Sequence, residues 1–320
     1  MNPGNKEKPL LYVLAGPTAV GKTELSLKLA KRLGGEIISA DSIQVYKHMD
    51  IGSAKITPEE MGDIPHHLID CLEPTESFDV ARFQEMAKAA LSGIYSRSKV
   101  PLIVGGTGFY LHALIYDNDF STGASDPEFR KELEKTGETE PMKLYEELLV
   151  KDPSAAAEIP PGNVKRVIRA LEYLHVTGER ISEHNMRERE KESPYDLQFY
   201  VLTMPRDILY DRINKRVDIM VEKGLFEETE KLIETGVKAD MTSMQGLGYK
   251  QAYMYLKGTI TRDEAIERIK KETRHFAKRQ LTWFKKEKDA IFINKCDYNS
   301  DEDILETMCE MTIKKCNNKQ

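Results

Sequence analysis

Cysteine is scarce in this chain. Four in 320 residues, at Cys71, Cys296, Cys309 and Cys316, cannot staple a fold, and no two have the spacing of a metal knuckle. That usage fits reduced thiols in a cytosolic protein. Long apolar runs are missing as well: nothing approaches the roughly 18 residues that span a bilayer, so no membrane partner is expected. The first nine residues are polar and hold no signal core, which makes a cytoplasmic location the expectation. Internal repeats are absent. Positive charge is not in excess either, since 47 Lys and Arg stand against 53 Asp and Glu, a balance of −6 that by itself disfavours a nucleic-acid partner. Distribution matters more than the sum. Between positions 268 and 286 eight Lys or Arg residues accompany one acid, Glu272, which makes that stretch a candidate polyanion surface.

What is present suits a packed domain, with 40% apolar residues for a core and 31% charged residues for a solvated surface. Short apolar runs at 10–14, 36–38, 67–69 and 102–104 read as buried strands. Between them, 23–33 and 80–96 repeat apolar residues at three- and four-residue intervals. Strands alternating with such helices predict an α/β fold, a parallel sheet core covered by helices. From residue 117 the pattern becomes polar, then helical and charged. A Pro-Pro-Gly break at 160–162 precedes an amphipathic helix whose apolar stripe is Val164, Val167, Ile168, Leu171 and Leu174, flanked by Lys165, Arg166 and Arg169. Strands are predicted again at 197–202 and 290–293. The chain is therefore read as a core of 1–116 and 196–320 carrying a helical insertion domain of 117–195. Nothing demands more than a monomer.

One run identifies a ligand class. Gly16-Pro17-Thr18-Ala19-Val20-Gly21-Lys22-Thr23 fits G-x-x-x-x-G-K-[ST] and lies between an apolar strand and a helix, where a P-loop must lie. Its backbone can wrap an anion at a helix N-terminus. Lys22 adds a mobile positive charge, and the Thr23 hydroxyl can ligate Mg²⁺ or a phosphate oxygen. The run specifies a diphosphate or triphosphate, not a chemistry, and alone it would favour a kinase or NTPase. Asp41 follows the second strand in Ser39-Ala40-Asp41-Ser42-Ile43-Gln44-Val45-Tyr46, at the edge of the sheet where ligands bind. A carboxylate there can hold Mg²⁺ through water or accept a proton; capping a helix with Ser42 is the structural alternative.

With those two runs in place, the sequence resembles the tRNA dimethylallyltransferases. Further motifs in family order carry the resemblance: Met49-Asp50-Ile51-Gly52-Ser53-Ala54-Lys55, Pro65-His66-His67-Leu68-Ile69-Asp70, Gly105-Gly106-Thr107-Gly108, Arg166-Val167-Ile168-Arg169-Ala170-Leu171, Gly246-Leu247-Gly248-Tyr249-Lys250 and Ala277-Lys278-Arg279-Gln280-Leu281-Thr282-Trp283-Phe284. They span residues 16 to about 284. Many relatives have Arg where this chain has Ile43, and Thr where it has Ser53. Eukaryotic relatives carry a C-terminal zinc finger that the cysteines here cannot form, so the resemblance implies the bacterial type.

The resemblance implies that the P-loop holds dimethylallyl diphosphate, with Mg²⁺ at Thr23, and that the group is transferred to the exocyclic N6 of the adenosine 3′ of the anticodon in tRNA. Asp41 is the expected base, and Lys22 and Thr23 the expected stabilisers of the leaving diphosphate. Among Arg206, Arg212 and Arg216, Arg212 is the expected clamp; Arg212 and Arg216 share a helical face that could instead be merely solvated. Asp41, Ser42, Ile43, Gln44 and Thr107 resemble the adenosine contacts. The target base would be turned out of the anticodon stem-loop into a channel between core and insertion. Arg130, the run Lys165, Arg166, Val167, Ile168 and Arg169, and Arg274, Lys278 and Arg279 are the expected grips on the RNA. Trp283 reads more readily as core than as a stacking platform, and His66 and His67 as structural rather than metal-binding. Rival readings are prenyl transfer to free AMP, ADP or ATP, a P-loop nucleotide kinase or ATPase, and an RNA-binding switch without chemistry.

Overall fold

The structure, a computed structural model, describes residues 8–120 and 126–317; parts of the polar stretch at 118–127 and of the polar C-terminal run lie outside the described residues. The chain divides into two compact units, one formed by Met1–Ile115 with Pro194–Gln320 and the other by Tyr116–Ser193.

The first unit alternates β1 (Leu10–Ala15), α1 (Lys22–Leu33), β2 (Glu36–Ala40), α2 (Pro58–Met61), β3 (His66–His67), α3 (Val80–Ser96), β4 (Pro101–Gly105) and α4 (Gly108–Ile115). The second consists of α5 (Pro127–Thr139), α6 (Pro141–Lys151), α7 (Pro153–Glu158), α8 (Val164–Thr177) and α9 (Ile181–Glu190). The chain then returns to the first with β5 (Asp196–Thr203), α10 (Arg206–Glu222), α11 (Leu225–Glu234), α12 (Tyr249–Leu256), α13 (Arg262–Phe284), β6 (Ile291–Asn294) and α14 (Asp301–Asn317).

Six parallel strands form one sheet in the order β3-β2-β4-β1-β5-β6. Central strands of a parallel sheet are covered on both faces, and the sequence obeys: five of the six residues of β1, LLYVLA, are fully buried. Tyr12 and Leu14 of β1 pack with Leu25 and Leu29 of α1 and with Tyr200 and Leu202 of β5. The third strand is shorter than its apolar run suggests. It ends at His67 because Leu68 and Asp70 take left-handed backbone angles, φ 62° and 53°, that turn the chain away. Since every strand points the same way, β1, β2, β4 and β5 end along one edge. The chain crosses from one side of β1 to the other there, which is where a parallel sheet opens a crevice.

In the second unit, Leu133, Leu144, Leu148, Ala155, Ala156, Val167, Ile168, Ala170 and Leu171 make a separate core. The start of α8 is capped by the Asn163 side chain and its end by Gly178 in the left-handed conformation.

Away from the crevice, Glu36 at the start of β2 is buried and fully engaged. The Arg97 guanidinium donates to Oε1 at 3.0 Å and Oε2 at 2.7 Å, and His67 Nε2 lies 2.7 Å from Oε2. Arg97 foremost, then His67, holds the carboxyl down to about 2. A depressed carboxyl contributes stability above its unfolded value near 4.5 and loses it as pH falls through the folded value. Glu36→Gln should therefore cost about 2–3 kcal/mol at pH 7. Urea titrations should show the gap to wild type closing between pH 4.5 and 2; a gap constant with pH would count against the ion pair as its source.

Candidate active site

The crevice is a cleft of about 920 Å³ lined by the P-loop, by Asp41 and the turn after β2, by residues 52–54, by Gly105 to Thr107 after β4, and by α10 and α13. Gly21 begins α1 with φ 93°, a left-handed angle that only glycine takes without strain. The loop therefore closes directly onto a helix N-terminus. Lys22 Nζ donates to the carbonyls of Gly16 at 2.9 Å and Pro17 at 2.8 Å, so its ammonium lies against the loop it serves. Thr18, Ala19, Gly21, Lys22 and Thr23 line the cleft, whereas Gly16, Pro17 and Val20 are buried behind them.

Asp41 lines the same cleft. Its Oδ1 accepts the amides of Ile43 at 2.9 Å and Gln44 at 3.3 Å, which makes it the organiser of the turn after β2 rather than the cap of a helix. Ser42 and Ile43 stand half-buried in the cleft wall. Gln44 is held at both ends: Ser39 Oγ donates to its Oε1 at 3.2 Å, and its Nε2 reaches the Ser53 carbonyl at 3.4 Å. Thr107 lines the cleft from the end of β4.

The arginines of α10 sort by burial. Arg206 is exposed over the Tyr210 ring at 5.0 Å. Arg212, the clamp predicted from sequence, is an exposed residue at the mouth, where its Nε donates to the Ala19 carbonyl at 2.8 Å. Arg216, one turn further, goes into the cleft wall, and its buried Nε has no hydrogen-bond partner among the described residues. Desolvation lowers the Lys22 amine to about 7, with Arg216 adding repulsion and Asp41 opposing it. Desolvation likewise lowers Arg216, and Asp41 again works the other way. Lys22 and Arg216 thus share the cleft with Asp41, and among the described residues Arg212, Lys215 and Arg279 line it as well against only Glu24, an excess of positive charge that suits a polyanion.

Gln280 of α13 went without a role in the sequence. It is buried, accepts the Thr18 amide at 3.0 Å and donates to the Gly106 carbonyl at 2.9 Å. One side chain so ties the P-loop to the loop after β4. A Cβ at Gly106 would meet its Nε2 at 2.2 Å, which is why glycine stands there.

The outer side of α13 carries a groove lined by His275, Lys278, Arg279, Thr282, Trp283 and Lys286, residues three and four apart on one helical face. Trp283 is half-buried beside Phe109, with ring centroids 6.2 Å apart, and its indole N–H has no partner among the described residues; it borders the groove instead of filling the core. Lys278 and Arg279 are exposed here, but Arg274 is turned inward, donating to Asn214 of α10 at 2.6 Å. Packing between two helices uses it, so the expected RNA grip does not extend to Arg274.

In the second unit, Lys165, Arg166 and Arg169 are exposed. Val167 and Ile168 are core residues, so these two side chains cannot meet RNA, contrary to the expectation for the whole run. Arg130 is committed to two carboxylates, Glu172 at 2.8 Å and Glu134 at 3.0 Å, which cancels its charge as a grip. His66 bonds the Ile64 carbonyl and also lines the cleft, whereas His67 bonds Glu36 away from it. Among the described residues no helix is long and apolar enough to cross a membrane.

Comparison with known proteins agrees with this geometry. The family model described as IPP transferase matches residues 44–287, and that described as isopentenyl transferase matches residues 9–71. A tRNA dimethylallyltransferase of Lachnoclostridium phytofermentans is 54% identical over 306 residues, covering 95% of this chain and 98% of the relative. Among solved structures, the full-length tRNA isopentenylpyrophosphate transferase of Bacillus halodurans aligns with TM-score 0.74 and 45% identity over 98% of this chain and 99% of that one. A eukaryotic dimethylallyltransferase described as acting on tRNA aligns with TM-score 0.80 and 30% identity over 93% of this chain and 78% of that one. The parallel sheet, the anion-seeking cleft and these likenesses together place the chain in the tRNA dimethylallyltransferase family.

Proposed function

We propose that this chain transfers a dimethylallyl group from dimethylallyl diphosphate to the exocyclic N6 amine of the adenosine 3′ of the anticodon in tRNA, releasing diphosphate. The observation that carries the reading is the pairing of Lys22 and Arg216 in one cleft with Asp41, two cations suited to an anion beside a proton acceptor. In the reaction the allylic carbon–oxygen bond breaks, the electron pair leaves with diphosphate, and a carbon–nitrogen bond forms to N6. The amine then passes a proton to Asp41, whose Oδ1 is fixed by the turn and whose Oδ2 takes no part in that turn. P-loop amides, Lys22 and Arg216 stabilise the charge that grows on the leaving group. Arg212, at the mouth, guides the diphosphate in.

Thr23 stands exposed at the first turn of α1, and its hydroxyl together with substrate oxygens suits Mg²⁺, a cation that takes few protein ligands when phosphates supply the rest. Bound there, the ion would neutralise part of the diphosphate charge. Ser42, Ile43, Gln44 and Thr107 line the acceptor side. The groove from His275 to Lys286, and Lys165, Arg166 and Arg169 on the second unit, supply cations for the RNA backbone. The second unit serves RNA binding.

Purified protein with Mg²⁺, labelled dimethylallyl diphosphate and an unmodified tRNA should place label in RNA. Label appearing only in AMP, offered as competing acceptor, would replace RNA with a mononucleotide. In the same assay Asp41→Ala should lose about 10²–10⁴-fold in kcat, the range one general base supplies; a smaller loss would take the proton elsewhere.

The two arginines should separate kinetically. Arg216→Ala leaves a buried anion site short of its desolvated partner and should raise KM for dimethylallyl diphosphate on the order of 100-fold, against about tenfold or less for exposed Arg212→Ala. The reverse order in steady-state kinetics would restore Arg212 as the clamp.

Diphosphate binding should also be pH-linked through Lys22. The negative charge of a bound diphosphate favours the ammonium, so above pH 7 the free enzyme must take up a proton to bind. Affinity for dimethylallyl diphosphate, measured by calorimetry without acceptor, should fall as pH rises from 7 to 9, by up to about tenfold per pH unit. Lys22→Arg keeps its charge over this range and should flatten the profile. A variant profile as steep as wild type would mean another group titrates.

A further inference from the structure

Two motifs of the sequence remain without a role in the chemistry: the loop around Gly52 and the start of α12 at Tyr249. Residues 50–54 form no helix or strand, yet Gly52, Ser53 and Ala54 line the cleft. The loop is held from outside by one carboxylate. Glu228 of α11 accepts the amides of Asp50 at 2.9 Å and Ile51 at 2.8 Å on Oε2, and that of Gly52 at 3.1 Å on Oε1. The Tyr249 hydroxyl donates to the same Oε1 at 2.6 Å. Three successive amides around one anion make a nest, a geometry that fixes the backbone offering them.

Tyr249 is wholly buried, and desolvation, then the Glu228 charge, pushes its hydroxyl well above the usual tyrosine range, so it stays a donor. Its ring lies against Gly52, where a Cβ would meet ring atoms at 2.5 and 2.7 Å. Lys55 closes the loop from its other end, donating to Asp50 at 2.6 Å and to the Tyr46 carbonyl at 2.7 Å.

The restraint passes to the acceptor side through one contact. Residue 53, next to the nest, supplies the carbonyl that receives Gln44 Nε2, while Ser39 holds Gln44 Oε1. Gln44 in turn belongs to the turn that Asp41 organises.

We infer that Glu228, seated by Tyr249, is a positioning residue for the acceptor half of the cleft: it fixes residues 50–54 so that Gln44 presents its amide in one orientation to the acceptor base. The inference rests on the reading that the base enters beside Gln44. It gives the nest a consequence that plain structural support would not have, since the P-loop, Lys22 and Arg216 make no hydrogen bond with residues 50–54 or Glu228 in the described structure. Damage to the nest should therefore weaken one substrate and spare the other.

Glu228→Gln replaces one acceptor oxygen with a donor facing backbone amides, and Tyr249→Phe removes a single hydroxyl with the ring kept. In the full-length enzyme, each should raise KM for a tRNA anticodon stem-loop at least fivefold while the calorimetric Kd for dimethylallyl diphosphate stays within twofold. Should Glu228→Gln fail to fold, Tyr249→Phe alone decides. Stem-loop KM within twofold of wild type in Tyr249→Phe would overturn the inference, as would a diphosphate Kd that rises in step with KM. Wild-type enzyme assayed in parallel separates the two levels. If it prenylates the stem-loop and the variants keep its KM, only the positioning role fails; if it does not, the functional reading fails and carries this one with it.

Discussion

The site depends on an unbalanced charge. Lys22 and Arg216 are brought together where water is scarce, and Asp41 offsets only part of their repulsion. Such an arrangement disfavours the charged form: desolvation first, then Arg216, holds the Lys22 amine down to about 7. Strain of this kind persists where a ligand relieves it. In the proposed reaction a diphosphate relieves it twice: on binding, because the cations are poorly solvated, and on leaving, because its growing charge meets cations already in place.

The fold makes that concentration of charge possible. All strands of the sheet run parallel, so the loops after β1, β2 and β4 and the helix after β5 open on one edge. Gln280 then fastens two of these loops to α13, which also bears Lys278 on the outer groove and Arg279 on both groove and cleft. One helix therefore supports the diphosphate cradle from within while presenting cations outside.

Much of this was legible in the sequence, for reasons that differ by residue. The P-loop declares itself because phosphate binding by backbone amides demands glycines at fixed spacing, a purely local constraint. Asp41 is legible because strands of a parallel sheet end at the crevice. Arg216 was not separable from Arg212: residues four apart share a helical face, and only the packing of α10 against its neighbours decides which one is buried. Gln280 and Glu228 escape because their partners lie 262 and about 177 positions away in sequence, and no periodicity encodes such a contact. Arg274, Val167 and Ile168 show the opposite error. A basic or family-matching run suggests a surface, but the same run must also supply the contacts that hold its helix in place.

In the proposed reaction Asp41 unites the two halves of the chemistry. One oxygen accepts two turn amides, which fixes the side chain before the acceptor arrives, and the carboxylate lies close enough for Lys22 and Arg216 to feel its charge. A neutral adenine amine is far too weakly acidic for a carboxylate to deprotonate beforehand, so the proton leaves only as the new bond forms. Once its nitrogen has begun to bond to the allylic carbon it turns acidic, and any carboxylate within reach suffices. Placement, not basicity, is then what the turn has to deliver. The same logic explains why so much of the surrounding structure, from Ser39 to the residues beside Glu228, is devoted to orienting one turn.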